Sequence, residues 1–189
     1  MKIVTVLGSP RAKGNSATIA RRFLNAAEAR GAASLGVFEL NRMQYRGCQA
    51  CYACKNGAER CVLKDDLAAA LGAVEAADVL VLATPVYYGD VTSQLKGFVD
   101  RLYGVLVPDF HTNPRPSRLS DKKLVFIQVQ GRADAAAFGD IYPRYSAFMQ
   151  RMGFGDCRLI RACGIGPGAV DAVPEATLRE AESLAAALC

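Results

Sequence analysis

The chain has 189 residues, a net charge of +5, and is 51% hydrophobic and 22% charged, which suits a folded chain with one sizeable core and excludes a disordered one. No Lys/Arg run is dense enough for nucleic acid or an anionic membrane, no apolar stretch approaches the ~20 residues of a bilayer span, and the short apolar start reads as a strand rather than a signal peptide. What remains is a cytoplasmic protein of one domain over residues 1–189, whose seven cysteines are expected to be reduced or metal-bound rather than paired.

The first predicted strand, Lys2–Leu7, runs into Gly8-Ser9-Pro10-Arg11-Ala12-Lys13-Gly14-Asn15-Ser16-Ala17. A helix over Ala17–Arg30 follows, with Ile19, Phe23, Leu24 and Ala27 on one face. Glycines let this loop turn tightly against an anion, Ser and Asn offer short donors, Arg11 and Lys13 add charge, and the helix N-terminus contributes free amides. The spacing is neither a Walker A loop, since Asn15 stands where its lysine belongs, nor a dinucleotide G-x-G-x-x-G. A mononucleotide phosphate is the expected ligand. The alternative is a plain strand-to-helix turn with Asn15 or Ser16 as N-cap.

The second strand, Ser34–Leu40, leads into a segment without periodicity, 46–64, that holds Cys48, Cys51, Cys54 and Cys61. Read from the residues, this C-x2-C-x2-C-x6-C spacing admits an iron–sulfur cluster, a structural zinc, a C-x-x-C dithiol, or four uncoupled thiols. A helix over Asp66–Glu75 and a third strand, Asp78–Thr84, come next. That strand ends in Pro85-Val86-Tyr87-Tyr88-Gly89, where Pro85 and Gly89 shape a turn, backbone groups can bond a planar heterocycle, and Tyr87 and Tyr88 can cover its apolar face. A helix over Thr92–Val105, a Pro-rich stretch Pro108–Asp121, and a fourth strand, Lys123–Gln130, follow, with Gln130-Gly131 as a further contact along the crevice. Helices over Ala135–Met152 and Pro174–Leu188 flank the fifth strand, Arg158–Cys163. Gly164-Ile165-Gly166-Pro167-Gly168 reads as a plain turn, and His111, Cys157, Cys163 and Cys189 as structural or surface residues. Alternating apolar strands and helices predict an α/β, doubly wound five-stranded parallel sheet of order 2-1-3-4-5, with a ligand crevice at the carboxyl ends of strands 1 and 3.

The motif Gly8-Ser9-Pro10-Arg11 with Gly14-Asn15-Ser16 resembles the phosphate loop of the NADPH-dependent FMN reductase and iron–sulfur flavoprotein families, which are flavodoxin-like. The run Pro85-x-Tyr87-x-Gly89-x-x-Thr92-x-x-x-Lys96-x-Phe98-x-Asp100-Arg101 resembles the same families, with its second half structural. The resemblance implies FMN, with phosphate contacts from Ser9, Arg11, Lys13, Asn15, Ser16 and Ala17, and ring contacts from Pro85, Val86, Tyr87, Tyr88, Gly89 and Gly131. Cys48-x2-Cys51-x2-Cys54-x6-Cys61 resembles the compact cysteine motif of iron–sulfur flavoproteins, which implies a [4Fe-4S] cluster on those four residues. The implied function is an FMN-dependent oxidoreductase passing electrons between FMN, the cluster and NAD(P)H, a quinone, an oxygen species or a ferredoxin. A cluster-free NAD(P)H-dependent FMN or quinone reductase and a non-enzymatic FMN electron carrier or redox sensor are the rivals. No catalytic side chain is implied, because the cofactor carries the redox chemistry. The same resemblance implies a homodimer or homotetramer, with 108–121 as a candidate contact.

Overall fold

The computed structural model describes residues 1–166 and 173–189. Five parallel strands, β1 (Lys2–Leu7), β2 (Ala33–Glu39), β3 (Val79–Pro85), β4 (Lys122–Val129) and β5 (Phe154–Ala162), form one sheet in the order β2-β1-β3-β4-β5. Val4 pairs with Leu80 and Leu80 with Leu124, so the three middle strands are in register across the centre. This is the flavodoxin-like order expected from the alternation of strands and helices.

The period of two along each strand divides the core in two. Ile3, Leu7, Val79, Val81, Val125 and Ile127 face α1 (Asn15–Glu28) and α5 (Glu175–Leu188). Val4, Val6, Leu80, Leu82, Leu124 and Phe126 face α2 (Leu67–Ala76), α3 (Ser93–Arg101) and α4 (Ile141–Arg151). With both faces covered, the middle strands are almost wholly apolar, as a parallel sheet demands.

Most boundaries lie within a residue or two of the sequence reading, but β5 begins at Phe154, four residues before the expected Arg158, and three helices also differ. Helix α1 begins at Asn15, two residues early, with Gly14 at its N-cap and no capping side chain, so neither Asn15 nor Ser16 is the cap. The helix expected over Thr92–Val105 is α helical only to Arg101 and tightens to a 3-10 turn at Leu102–Val105. Helix α4 starts at Ile141 rather than Ala135. Two forces delay it. Gln130 Nε2 draws the carbonyls of Arg132, Asp134 and Ala137 to itself at 2.9–3.2 Å, which a helix through 135 would not permit. Pro143, lacking an N–H, is tolerated in a first turn and not in a helix interior.

The long segment 108–121 is tied back to the body. Arg118 Nη1 donates to the carbonyls of Gly104 and Leu106, and Ser117 Oγ donates to Met152 O. Gly153, at φ +94, lies so close to this segment that a Cβ there would fall 2.2 Å from Leu119 O. Of the expected turn after β5, Pro167 and Gly168 lie outside the described residues.

Candidate functional site

The loop leaving β1 is fixed chiefly through the backbone. Gly8 N donates to Ala83 O of β3 at 2.8 Å, and Gly14 N donates to Arg11 O. Thr92, the N-cap of α3, accepts from Leu95 N and donates its hydroxyl hydrogen to Gly8 O at 2.7 Å, which staples the β1 loop to the β3 exit. Gly8 has to be glycine, since a Cβ there would stand 2.8 Å from Leu95 Cβ.

Where this loop meets α1, polar groups are left without partners. Ser16 is 2% exposed, and among the described residues neither its Oγ nor the buried Asn15 Oδ1 has a hydrogen-bond partner. With no side chain capping α1, its first-turn amides are available as well. Burying such groups unpaired costs about 1–3 kcal/mol each. A helix N-terminus of this kind is an anion site. Arg11 N is already engaged by Ser9 Oγ at 3.1 Å, which rigidifies the loop around the same point.

A cavity of about 320 Å3 opens there, walled by Ser9, Arg11, Gly14, Asn15 and Ser16 on one side and by Pro85, Val86 and Tyr87 on the other. Gly131 and Val129 close it from β4, and Ile165 and Gly166 from the loop after β5. Lys13 is exposed and Ala17 buried, and neither side chain is on the cavity wall. Tyr88 and Gly89 are also off the wall. They form the tip of a two-residue turn with positive φ at both positions, closed by Tyr87 N to Asp90 O at 2.8 Å, and Tyr88 stands fully in solvent. The turn is braced from α4 by Arg144, which pairs with Asp90 at 3.1 Å. Burial opposes ionisation of Asp90, but bonds from the Val91 amide and Arg144 outweigh it and hold the carboxyl below its ordinary range.

Sequence reasoning missed Val129, Ile165 and Gly166. The available signal was topological: β5 ends beside β4, and Ile165 N bonds back to Gln130 O at 3.2 Å, folding the last loop over the crevice. The side chain of Gln130 turns away to the 132–137 loop, so its neighbour Gly131 is the residue at the wall.

The cysteine loop is built differently. Between Gly47 and Lys64 the only backbone bonds outside regular elements, among the described residues, are local ones around a 3-10 turn at Ala53–Lys55. Ala50 and Tyr52 take left-handed φ values of 49 and 54, which bend the Cys48–Cys54 arm sharply. Three cations hold the loop in place: Arg60 pairs with Glu75 of α2 at 2.9 Å, and two others are more buried. Arg101, buried on α3, reaches into it and bonds Arg46 O, Leu63 O, Cys61 Sγ and both oxygens of Asp65. Lys55 reaches back out and donates to Tyr103 O at 2.7 Å and Leu106 O at 2.6 Å, with its Nζ 4.3 Å from the Tyr103 ring centre. Burial pushes the Lys55 amine down, partly offset by the nearby Cys54 thiol. Burial likewise opposes the Asp65 carboxylate, but its bonds to Arg101 and to the Arg46 amide win and hold it below its ordinary range.

Cys48, Cys51, Cys54 and Cys61 all border one cavity of about 560 Å3 between this loop, α3 and α4. Four thiols with two cations nearby are a donor set suited to a soft, anionic metal centre. Among the described residues, however, no three Cys, His, Asp or Glu side chains stand close enough together to form a metal site. The fit is thus one of donor type and location.

Residues 1–142 match the family described as NADPH-dependent FMN reductase. Among curated proteins, the chain is 36% identical over 107 residues to an iron–sulfur flavoprotein of Archaeoglobus fulgidus, a stretch covering 54% of this chain and 46% of that one. It is 37% identical over 105 residues to one of Methanocaldococcus jannaschii, covering 53% and 51%. The matched region thus spans about half the length of these relatives. Among solved structures, a NAD(P)H:quinone oxidoreductase of Methanothermobacter marburgensis superposes with a TM-score of 0.76 over 100% of this chain and 96% of that one, at 21% identity. An FMN-dependent NADH-azoreductase of Bacillus anthracis, in complex with FMN, gives 0.71 over 100% and 99%, at 15% identity. At such identities these two establish the shared fold.

Proposed function

Because the chain belongs to the NADPH-dependent FMN reductase family, we propose that it is an FMN-dependent oxidoreductase of the iron–sulfur flavoprotein kind, with FMN in the β1–β3 crevice and a [4Fe-4S] cluster on Cys48, Cys51, Cys54 and Cys61. The observation that carries the FMN assignment is the pair of orphaned, buried polar groups, Ser16 Oγ and Asn15 Oδ1, at an uncapped helix N-terminus in the same cavity as Pro85–Tyr87. The bound flavin would supply hydride and single-electron transfer, and the cluster single-electron transfer.

The residues divide the work of holding the cofactor. Ser9, Asn15, Ser16 and the first-turn amides of α1 bond the phosphate, Arg11 neutralises it, and Lys13 adds charge from solvent. Ala17 contributes backbone only. Pro85, Val86 and Tyr87 present main chain and an aromatic edge to the ring, Gly131 lets it lie close to β4, and Val129 and Ile165 exclude water. Tyr88 and Gly89 act at the mouth, where an incoming donor would pass.

NAD(P)H or a ferredoxin serves as the donor in this reading, and a quinone, an oxygen species or a ferredoxin as acceptor. The assembly in this reading is a homodimer or homotetramer in a reducing, cytoplasmic compartment. The relatives named as iron–sulfur flavoproteins favour the cluster over a cluster-free reductase or a simple carrier. Anaerobic purification with a visible spectrum and iron and sulfide assays tests it. Flavin bands with about four irons per chain are expected. Flavin without iron, even after anaerobic reconstitution, would leave the cluster-free reductase, and no flavin would overturn the reading entirely.

A further inference from the structure

The buried cation Arg101 has a role that the FMN crevice does not use. Its side chain is 0% exposed, yet it sits on a helix among apolar neighbours, Phe98 and Leu102. A guanidinium buried this way is costly unless every proton is engaged. Here every one is. A guanidinium has five N–H donors in a fixed fork, and the five acceptors are Asp65 Oδ2 at 2.7 Å, Asp65 Oδ1 at 3.1 Å, Arg46 O at 2.8 Å, Leu63 O at 3.4 Å and Cys61 Sγ at 3.0 Å.

Four of these bonds anchor the two ends of the cysteine loop to α3. The fifth is different in kind. Nε–H points at a sulfur that the loop could have left free, and it singles out Cys61, the thiol separated from the other three by the longest gap. Because α3 is packed on the sheet through Leu95 and Phe98, the donor is mounted on a rigid element.

We propose that Arg101 is a positioning residue that sets the reduction potential of the metal centre through its bond to Cys61, with Asp65 as the opposing charge. The inference rests on the cluster reading given above. A cationic donor bonded to a ligand sulfur withdraws charge from it and favours the added electron, so the potential rises, since hydrogen bonds to sulfur and local charge tune such centres. Asp65 works in the other direction by cancelling part of that charge. Anchoring and tuning therefore make different predictions. Loss of an anchor loosens the loop whichever partner is removed, whereas loss of a charge moves the potential with a sign.

The test is an anaerobic redox titration of reconstituted wild type, R101Q, R101K and D65N, followed by electron paramagnetic resonance, with flavin stoichiometry as the control for folding. R101Q is expected to be more negative than wild type and D65N more positive. R101K keeps the charge without the Nε fork and should shift in the same direction as R101Q, but less. Equal potentials in all four proteins, or shifts of R101Q and D65N in one direction, would reduce Arg101 to an anchor and overturn the proposal. If R101Q fails to take up flavin, R101K and D65N decide by the same sign rule. A wild type that binds flavin but no iron would overturn the cluster reading, and this inference with it. Iron-loaded wild type with unmoved variants would sink this inference alone.

Discussion

The crevice at the ends of β1 and β3 and the cysteine loop beside α3 are neighbours in the fold but are held by different bonds. The crevice is assembled mainly from main chain: Gly8 N to Ala83 O, Ile165 N to Gln130 O, and the Thr92 staple to Gly8 O. The loop has almost no main-chain bonds to the body among the described residues and depends on side-chain cations, Arg101 reaching in, Lys55 reaching out, and the more exposed Arg60 paired with Glu75. A site made of backbone is shaped before its ligand arrives and tolerates most side-chain changes. A site made of long charged side chains is vulnerable to single substitutions and to pH.

The sharpest way to break the comparison is at a position where the crevice depends on the absence of a side chain. Gly8→Val would drive methyl groups into Leu95, already 2.8 Å from the first added carbon. Overpacking of this sort should cost about 3 kcal/mol. Urea unfolding should show that loss and flavin titration should show weakened binding, while the cysteine loop keeps its hydrogen-exchange protection. Equal stability to wild type would mean that the β1 loop and α3 can part freely.

A smaller and more local effect is expected from Lys55→Met. Removing the two bonds to Tyr103 O and Leu106 O should lower the opening free energy of 46–64 by about 2 kcal/mol, since hydrogen bonds to charged groups contribute on that order. Exchange of amides in that segment should then quicken while the crevice is unchanged. Acid should reach the same loop through Asp65. Its carboxyl is held below the ordinary carboxylate range, so the clasp stabilises fully above the unfolded-state value and is lost as pH falls through the lower folded-state one. Unfolding of wild type and D65N measured across the acid range should therefore converge at the lowest pH, and a constant gap would contradict the clasp.

The smallest effect concerns the crevice mouth. Tyr88 holds a left-handed φ of 50 with its ring in solvent. Tyr88→Gly should relieve about 1 kcal/mol of strain. If thermal unfolding shows no gain, the turn is bearing no strain. If flavin affinity falls at the same time, the ring reaches the cofactor from the mouth.

Much of this was legible in the residues. Short, near-continuous apolar runs located the five strands, the three- and four-residue steps located the helices, and Gly8 through Ser16 marked an anion loop without reference to any distant contact. Lys13, Ala17, Tyr88 and Gly89 belong to the motifs that carry the resemblance, but the fold leaves them off the cavity wall. The start of α4 was misread although Pro143 stood in the sequence, because alanines at 135–137 carry helix propensity and a single buried glutamine overrode it.

By itself, then, the sequence determined the parallel sheet, its order and the end at which a phosphate would be held, because those follow from local periodicity, handed crossovers and glycine placement. The tertiary structure alone decided that Ile165 and Gly166 close the crevice and that an arginine some 40 residues from Cys61 sits against its sulfur. Those pairings depend on which helix is packed beside which loop, and burial of a cation selects its partners by proximity in space and by the need to satisfy every donor, neither of which a linear pattern records.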